Sequence, residues 1–274
     1  MSQESRDADP VTGFYARGLE RNRLGAGLGA LEFARTQALL QRFLPPPPAL
    51  IADIGGGPGR YAHWLVELGY RVHLVDPVPL HIEQALAGLK EDSTRLRAEL
   101  GDGRAVPMPD ASADAVLLLG PLYHLPDRAD RLQVLAEARR VCRPGGLIAA
   151  AAISRFASTL DGLRAGYLED PAFAAVAARD RGDGRHFNPT GDPAYFTTAY
   201  FHRPEELTAE LVAAGVTHLA TLAIEGPGWL LPDLDARLAD PLRRSALLAG
   251  VAALEAEPTL IGASAHLLGV ARKG

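Results

Sequence analysis

"ALIADIGGGPGRYAHWLVELGYRVHLVDP" (Ala49–Pro77) decides the fold. Leu50–Ile54 is a short apolar run, the pattern of a buried strand. It meets Gly55, Gly56, Gly57 and Gly59 with one proline among them. Arg60–Leu68 then carries Tyr61, Trp64, Leu65 and Leu68 at helical spacing, and Val72–Val75 is a second apolar run ending on Asp76. Strand, glycine turn, helix, strand and acid together suit a nucleoside or dinucleotide. Glycines let the main chain approach a ligand, and the following helix start offers unpaired N–H groups. A terminal carboxylate can accept two ribose hydroxyls.

Glycine spacing separates the ligands. A pyrophosphate turn needs Gly-x-Gly-x-x-Gly, and Arg60 stands where the third small residue belongs. That side chain argues against a nicotinamide or flavin dinucleotide. No Gly-Lys-Ser/Thr follows, so a P-loop is absent.

Outward from this stretch, the pattern predicts a helix over Leu80–Leu89, strands over Leu96–Leu100 and Ala113–Leu119, and a helix over Arg128–Cys142. Arg143–Gly146 ("RPGG") ends that helix, and Leu147–Ile153 is a fifth strand. Such alternation implies a parallel sheet covered on both faces. About 50 residues without a clear pattern follow, too many for an ordinary connection. A helix over Glu205–Ala214 and strands over Val216–Ile224 and Ser264–Ala271 close the chain. Upstream, Val11–Leu44 reads as helical and is stopped by Pro45–Pro48.

The expected class is α/β: a Rossmann-like, doubly wound, seven-stranded and mostly parallel sheet with helices on both faces. An N-terminal helical cover occupies 1–44 and the nucleoside-binding core 45–154. A lid or cap insertion occupies 155–203, and the C-terminal part of the core, 204–274, holds a helical insertion at about 226–262.

Composition narrows the partners. Of 274 residues, 47% are hydrophobic and 22% charged, ordinary for a globular chain. A net charge of −5 argues against a phosphate-tracking surface, hence no nucleic acid. The polar, acidic start and the lack of a membrane-length apolar run predict a cytoplasmic protein with no membrane partner. The single Cys142 excludes an internal disulfide and a multi-cysteine metal site. A monomer or homodimer is expected.

In its motifs the chain resembles the class I S-adenosylmethionine-dependent methyltransferases. "DIGGGPG" (Asp53–Gly59) matches their first motif, and Asp76 the acid that follows. "GDGRAVPMPDASADAVLLLGPLYHL" (Gly101–Leu125) looks like their adenine-side loop, fourth strand and following loop, and "EARRVCRPGGLIAAA" (Glu137–Ala151) like their Pro-Gly-Gly turn and fifth strand. The likeness covers about residues 48–153 well and the last two strands more loosely. It implies S-adenosyl-L-methionine as cofactor, S-adenosyl-L-homocysteine as product and a small-molecule acceptor. It sets Gly55 and Gly57 against the methionine part and gives Asp76 the ribose hydroxyls. Asp102 takes the adenine amino group with Gly103 alongside, and Gly120 offers main chain to the ammonium end. Asp53 is either a ligand or a support for the turn.

On the acceptor side the family uses the loop after strand four, "GPLYHL". His124 is the candidate general base or orienting group, Tyr123 lines the acceptor site, and His202 from the aromatic segment Arg185–Leu207 completes the catalytic candidates. The loop lacks the acid or amide of nucleic-acid amine methylases. Tyr15, Glu20 and Arg23 are candidate contacts from the N-terminal side. His186, Asp192 and His202 match no metal motif, so no metal is assigned. His63, His73, His81, His218 and His266 read as structural or solvent-facing. Three other readings use the same turn: a non-methylating enzyme, a binding module that keeps the cofactor, and a nicotinamide-dependent oxidoreductase.

Overall fold

The structure, a computed structural model, describes residues 23–88 and 94–274. Helix α1 (Gly27–Phe43) precedes β1 (Leu50–Ile54), α2 (Arg60–Glu67), β2 (Arg71–Asp76), α3 (Pro79–Ala87), β3 (Leu96–Leu100) and β4 (Ala113–Leu118). Helix α4 (Arg128–Val141) and β5 (Cys142–Ser154) follow. Next come α5 (Ala157–Ala165), α6 (Pro171–Asp183), β6 (Arg185–His186) and β7 (Ala199–His202). The chain ends with α7 (Pro204–Ala213), β8 (Thr217–Ala223), α8 (Leu234–Ala239), α9 (Pro241–Leu254) and β9 (His266–Arg272).

Strands run β3-β2-β1-β4-β5 in parallel, then β9 and β8 in antiparallel pairing. This is the expected doubly wound sheet. Alternation along each strand feeds two cores. Val116 and Leu118 of β4 pack with Val134, Leu135, Leu207 and Leu211 of α4 and α7. Ala115 and Leu117 face the other way, with Leu39, Leu40, Ala62 and Leu65 of α1 and α2. A strand covered on both sides has no polar face to show, which is why these strands read as unbroken apolar runs.

Three differences from the sequence reading have physical causes. Arg143–Gly146 lies within β5, because Cys142 already pairs with Ala113 and the register resumes past an irregularity at Ala115–Leu147. Of the helical run expected over Val11–Leu44, residues 11–22 lie outside the described residues, and among those described helix α1 starts at Gly27, whose N–H donates to Asp235 Oδ1 at 2.7 Å. The segment 155–203 contains strands that no local pattern announced. β7 joins the end of β5 in parallel at Ile153–Phe201 and Ser154–His202, and β6 pairs with β7. A buried network fastens this junction. Arg131 donates to Glu210 at 2.8 Å and to the carbonyls of Leu125 and Pro126, while His202 Nε2 lies 3.2 Å from Glu210. Among the described residues, no helix is long and apolar enough to cross a membrane.

Candidate functional site: two joined cavities

At the C-terminal ends of β1, β2 and β4 lies a cavity of about 340 Å³. Its floor is the glycine turn. Gly55 has φ +69°, and a Cβ there would come within 2.6 Å of Pro121 Cγ. A Cβ on Gly56 would meet Asp53 Oδ2 at 2.6 Å. Side chains are excluded, so main chain forms the wall.

Asp53 is fully buried, and neither carboxylate oxygen has a hydrogen-bond partner among the described residues. Burial first, and the neighbouring Asp76 second, push its pKa up to about 7. A charged carboxylate left unpaired in the interior costs several kcal/mol, on the order of a domain's whole stability, so the group shifts its proton instead. It is poised to accept a cation or a donor.

Asp76 is also buried but well served. Oδ2 accepts the Gly57 N–H at 2.9 Å, and Oδ1 accepts the Val78 N–H at 2.9 Å and lies 2.9 Å from His81 Nδ1. It latches the turn to the second strand and keeps a lone pair for a ligand hydroxyl. Asp102 sits at the rim, half-exposed, in a bidentate pair with Arg104 that holds its carboxyl below the usual range. Gly103 and Gly120 complete the lining.

Pro121–His124 forms a single helical turn that brings Tyr123 and His124 to this cavity. Tyr123 donates to the Leu119 carbonyl at 3.1 Å. Burial presses the His124 imidazole down to about 4, against a hydrogen bond to the Thr198 main chain. It is neutral at physiological pH and a weak base there.

Asp53, Gly55, Gly57, Asp76, Asp102, Gly103, Gly120, Tyr123 and His124 therefore meet in one place. Arg23 joins them; Tyr15 and Glu20 lie outside the described residues. His202, expected with the catalytic candidates, borders neither cavity. It is fully buried between Tyr200 and Glu210, where the network behind β7 holds it.

A second cavity of about 250 Å³ adjoins the first, and Tyr123 and Arg23 line both. Phe173, Phe196, Phe201 and Trp229 give it aromatic walls. Its polar edge holds a residue that the sequence reading took as structural or solvent-facing. His266, at the start of β9, lies 2.6 Å through Nδ1 from Glu225 Oε1. Glu225 is fixed in turn by the Ser264 hydroxyl and the His266 N–H, each donating at 2.9 Å. Glu32 stands 3.9 Å from the same imidazole and receives Arg23 at 2.5 Å. Burial works against a charged imidazole, but Glu32 and Glu225 outweigh it and lift the His266 pKa to about 9. Glu32, Glu225 and His266 bring ligand atoms within 4.8 Å of one another, as a metal site would. Arg23 and the His266 proton already balance both carboxylates, so the cluster is neutral without an ion. The signal for it was weak: a histidine opening a strand, 41 residues from its acid.

Residues 51–146 match a family model described as a methyltransferase domain. The chain is 34% identical over 125 residues to an uncharacterized methyltransferase of Mycobacterium tuberculosis, covering 44% of this chain and 48% of that protein. It is 36% identical over 127 residues to the demethylmenaquinone methyltransferase of Deinococcus radiodurans, covering 45% and 48%. The chain thus spans about half the length of the curated relatives it matches. Among solved structures, it resembles the 1,6-didemethyltoxoflavin-N1-methyltransferase of Burkholderia thailandensis, solved with 1,6-didemethyltoxoflavin and S-adenosylhomocysteine. The TM-score is 0.56 at 16% identity, over 96% of this chain and 84% of that one, a likeness of fold alone.

Proposed function

We propose that this chain is a class I S-adenosylmethionine-dependent methyltransferase, with its methyltransferase domain at residues 51–146, and that it methylates a small-molecule acceptor bound in the second cavity. The observation that carries this reading is the junction of the two cavities at Tyr123 and Arg23. A donor on the glycine turn and an acceptor among the aromatic walls would meet there. The first cavity suits S-adenosylmethionine in its chemistry. The unpaired, buried Asp53 carboxylate fits a cationic amino-acid end, and the turn at Gly55 and Gly57 admits close main-chain contact. Asp76 would take a ribose hydroxyl, and Asp102 with Gly103 would border the base.

The cofactor supplies an activated methyl group on its sulfonium. The chain's own task is alignment and exclusion of water. Tyr123 divides the two sites and orients the acceptor face, held by its bond to Leu119. We assign residues 45–154 to cofactor binding and 155–203 to the cover over the acceptor. His124 acts as a neutral orienting group, because burial keeps its proton off near pH 7.

Calorimetry with S-adenosylhomocysteine, followed by a metabolite screen scored on methylated product mass, tests the reading. Binding with methylated product is expected. Absence of binding, or binding of a nicotinamide nucleotide in its place, would overturn it.

A further inference from the structure

Among the described residues, the hydroxyl, phenol, indole and imidazole groups on the wall of the second cavity are committed to partners, except at His266. His186 has both ring nitrogens engaged, Nδ1 at 2.9 Å from the buried Asp180 and Nε2 at 2.8 Å from the Tyr195 carbonyl. The Ser158 hydroxyl donates to the same aspartate, and the Tyr195 hydroxyl donates to Asp170 at 2.7 Å. Trp229 donates its indole N–H to the Ala263 carbonyl at 2.9 Å, and Tyr123 donates to Leu119. His266 differs: Glu225 holds its Nδ1, and its Nε2 has no hydrogen-bond partner among the described residues. Charge is balanced as well. Arg23 and His266 carry the positive charges that Glu32 and Glu225 require, and Asp161 on the wall is paired with Arg164.

We infer that His266 selects the acceptor: a flat, uncharged ring with a carbonyl oxygen that accepts the His266 Nε2–H. This rests on the reading that the acceptor occupies the second cavity. Phe173, Phe196, Phe201 and Trp229 set the flat shape. A ligand anion would bring an unpartnered charge beside the buried Glu225 and Glu32, and a ligand cation would meet Arg23 and His266. Without an imidazolium, two carboxylates against one guanidinium would leave the cluster negative, so His266 keeps both protons and Nε2 is a donor. Its pKa of about 9 agrees. A carbonyl oxygen satisfies that donor, whereas a ligand hydroxyl brings a hydrogen that needs an acceptor of its own. The His266 ring centroid lies 6.4 Å from that of Tyr123, which also lines the cofactor cavity, so this bond fixes which edge of the ring meets the junction.

The test uses flat probes: chromone, which has a carbonyl; naphthalene, which has none; and chromone-2-carboxylate, the first ring with a charge added. Each is titrated against the full chain, and quenching of Trp229 in a Trp64→Phe background reports occupancy of this cavity. The groups facing His266 are Glu32 of α1, Glu225, Arg23 and Tyr123. Above about pH 9 the imidazole loses a proton, Nδ1–H stays with Glu225, and a lone pair on Nε2 faces the carbonyl. Chromone is therefore expected to bind about tenfold more weakly at about pH 10 than at about pH 7, with naphthalene unchanged. The carboxylate is expected to bind about tenfold more weakly than chromone at about pH 7. The charge-balanced double variant His266→Phe/Glu225→Gln should abolish the pH dependence of chromone and keep naphthalene. Should it misfold, the pH comparison on the chain with His266 in place still decides. Chromone affinity equal at both pH values, a pH dependence that survives the double variant, a carboxylate as tight as chromone, or failure of both neutral rings to bind would overturn the inference. S-adenosylhomocysteine titrated into the same proteins reports the other cavity. Its failure to bind while chromone behaves as expected would sink the cofactor reading instead.

Discussion

The two cavities are built in opposite ways. The first is lined mostly by residues of one stretch, Asp53 to Leu125, with the buried carboxylates of Asp53 and Asp76 among them. The second is assembled from residues spread from Arg23 to His266, with Arg23, His186, His266 and Asp161 among its aromatic walls. One is a turn that admits no side chain at Gly55 or Gly56, where a Cβ would meet a neighbour at 2.6 Å. The other is assembled by packing and is free to differ. On the proposed reading, cofactor and acceptor recognition separate along the chain as well as in space.

The contrast breaks most easily at Asp76. Asp76→Ala removes the acceptor of two N–H groups and the partner of His81 as well as a ligand contact. S-adenosylhomocysteine affinity should fall more than about 100-fold, or roughly 3 kcal/mol, by calorimetry, while the Trp229 emission of a Trp64→Phe background, which reports the second cavity, keeps its native signal. Parallel loss of both would mean the cavities are one unit.

Asp53→Asn sharpens the comparison by separating fold from site. The folded-state pKa of about 7 lies above the unfolded value, so the native state alone holds a proton between the two. Stability from this group is therefore lost as pH rises toward 7. The amide should raise stability at about pH 8 by on the order of 1–2 kcal/mol in urea unfolding, yet weaken the cofactor about tenfold. A fall in both would make Asp53 a support for the turn only.

His266 works with the opposite sign. Its raised pKa, set among Glu32, Glu225 and Arg23, gives stability that is complete below the unfolded value and lost as pH climbs through about 9. His266→Gln should cost on the order of 2 kcal/mol near pH 6, with the gap closing above pH 9. A pH-independent deficit would show that packing, not charge, is what the residue supplies.

His124→Gln is the mildest. An imidazole pressed to about 4 does not titrate near neutrality, so the variant should keep the shape of the pH–rate profile between about pH 6 and 8. A neutral limb that vanishes in the variant would make His124 the titrating base.

What the sequence disclosed follows the same division. Gly55 to Asp76 and the strands of the core were legible because each signal is local: a period, a turn residue, an acid at a fixed offset. Asp76's bonds to Gly57 and Val78 stay within that range. The second cavity was not legible. Ala199–His202 becomes a strand only because Ile153 and Ser154 stand ready to pair with it. His266 gains its charge from Glu225 and Glu32, neither near it in the chain. His202 looked chemical beside its aromatics, but Arg131 and Glu210 claim it for structure.

Ser154 and His202 are register partners, and the Arg155 N–H donates to the His202 carbonyl at 2.8 Å. The excursion between them departs and comes home at one address on the sheet. Everything from 156 to 201 is in that sense a removable cassette, with the Arg131–Glu210–His202 fastening left at its door. Its length can change without altering the strand order, because both of its ends are held at one point on β5.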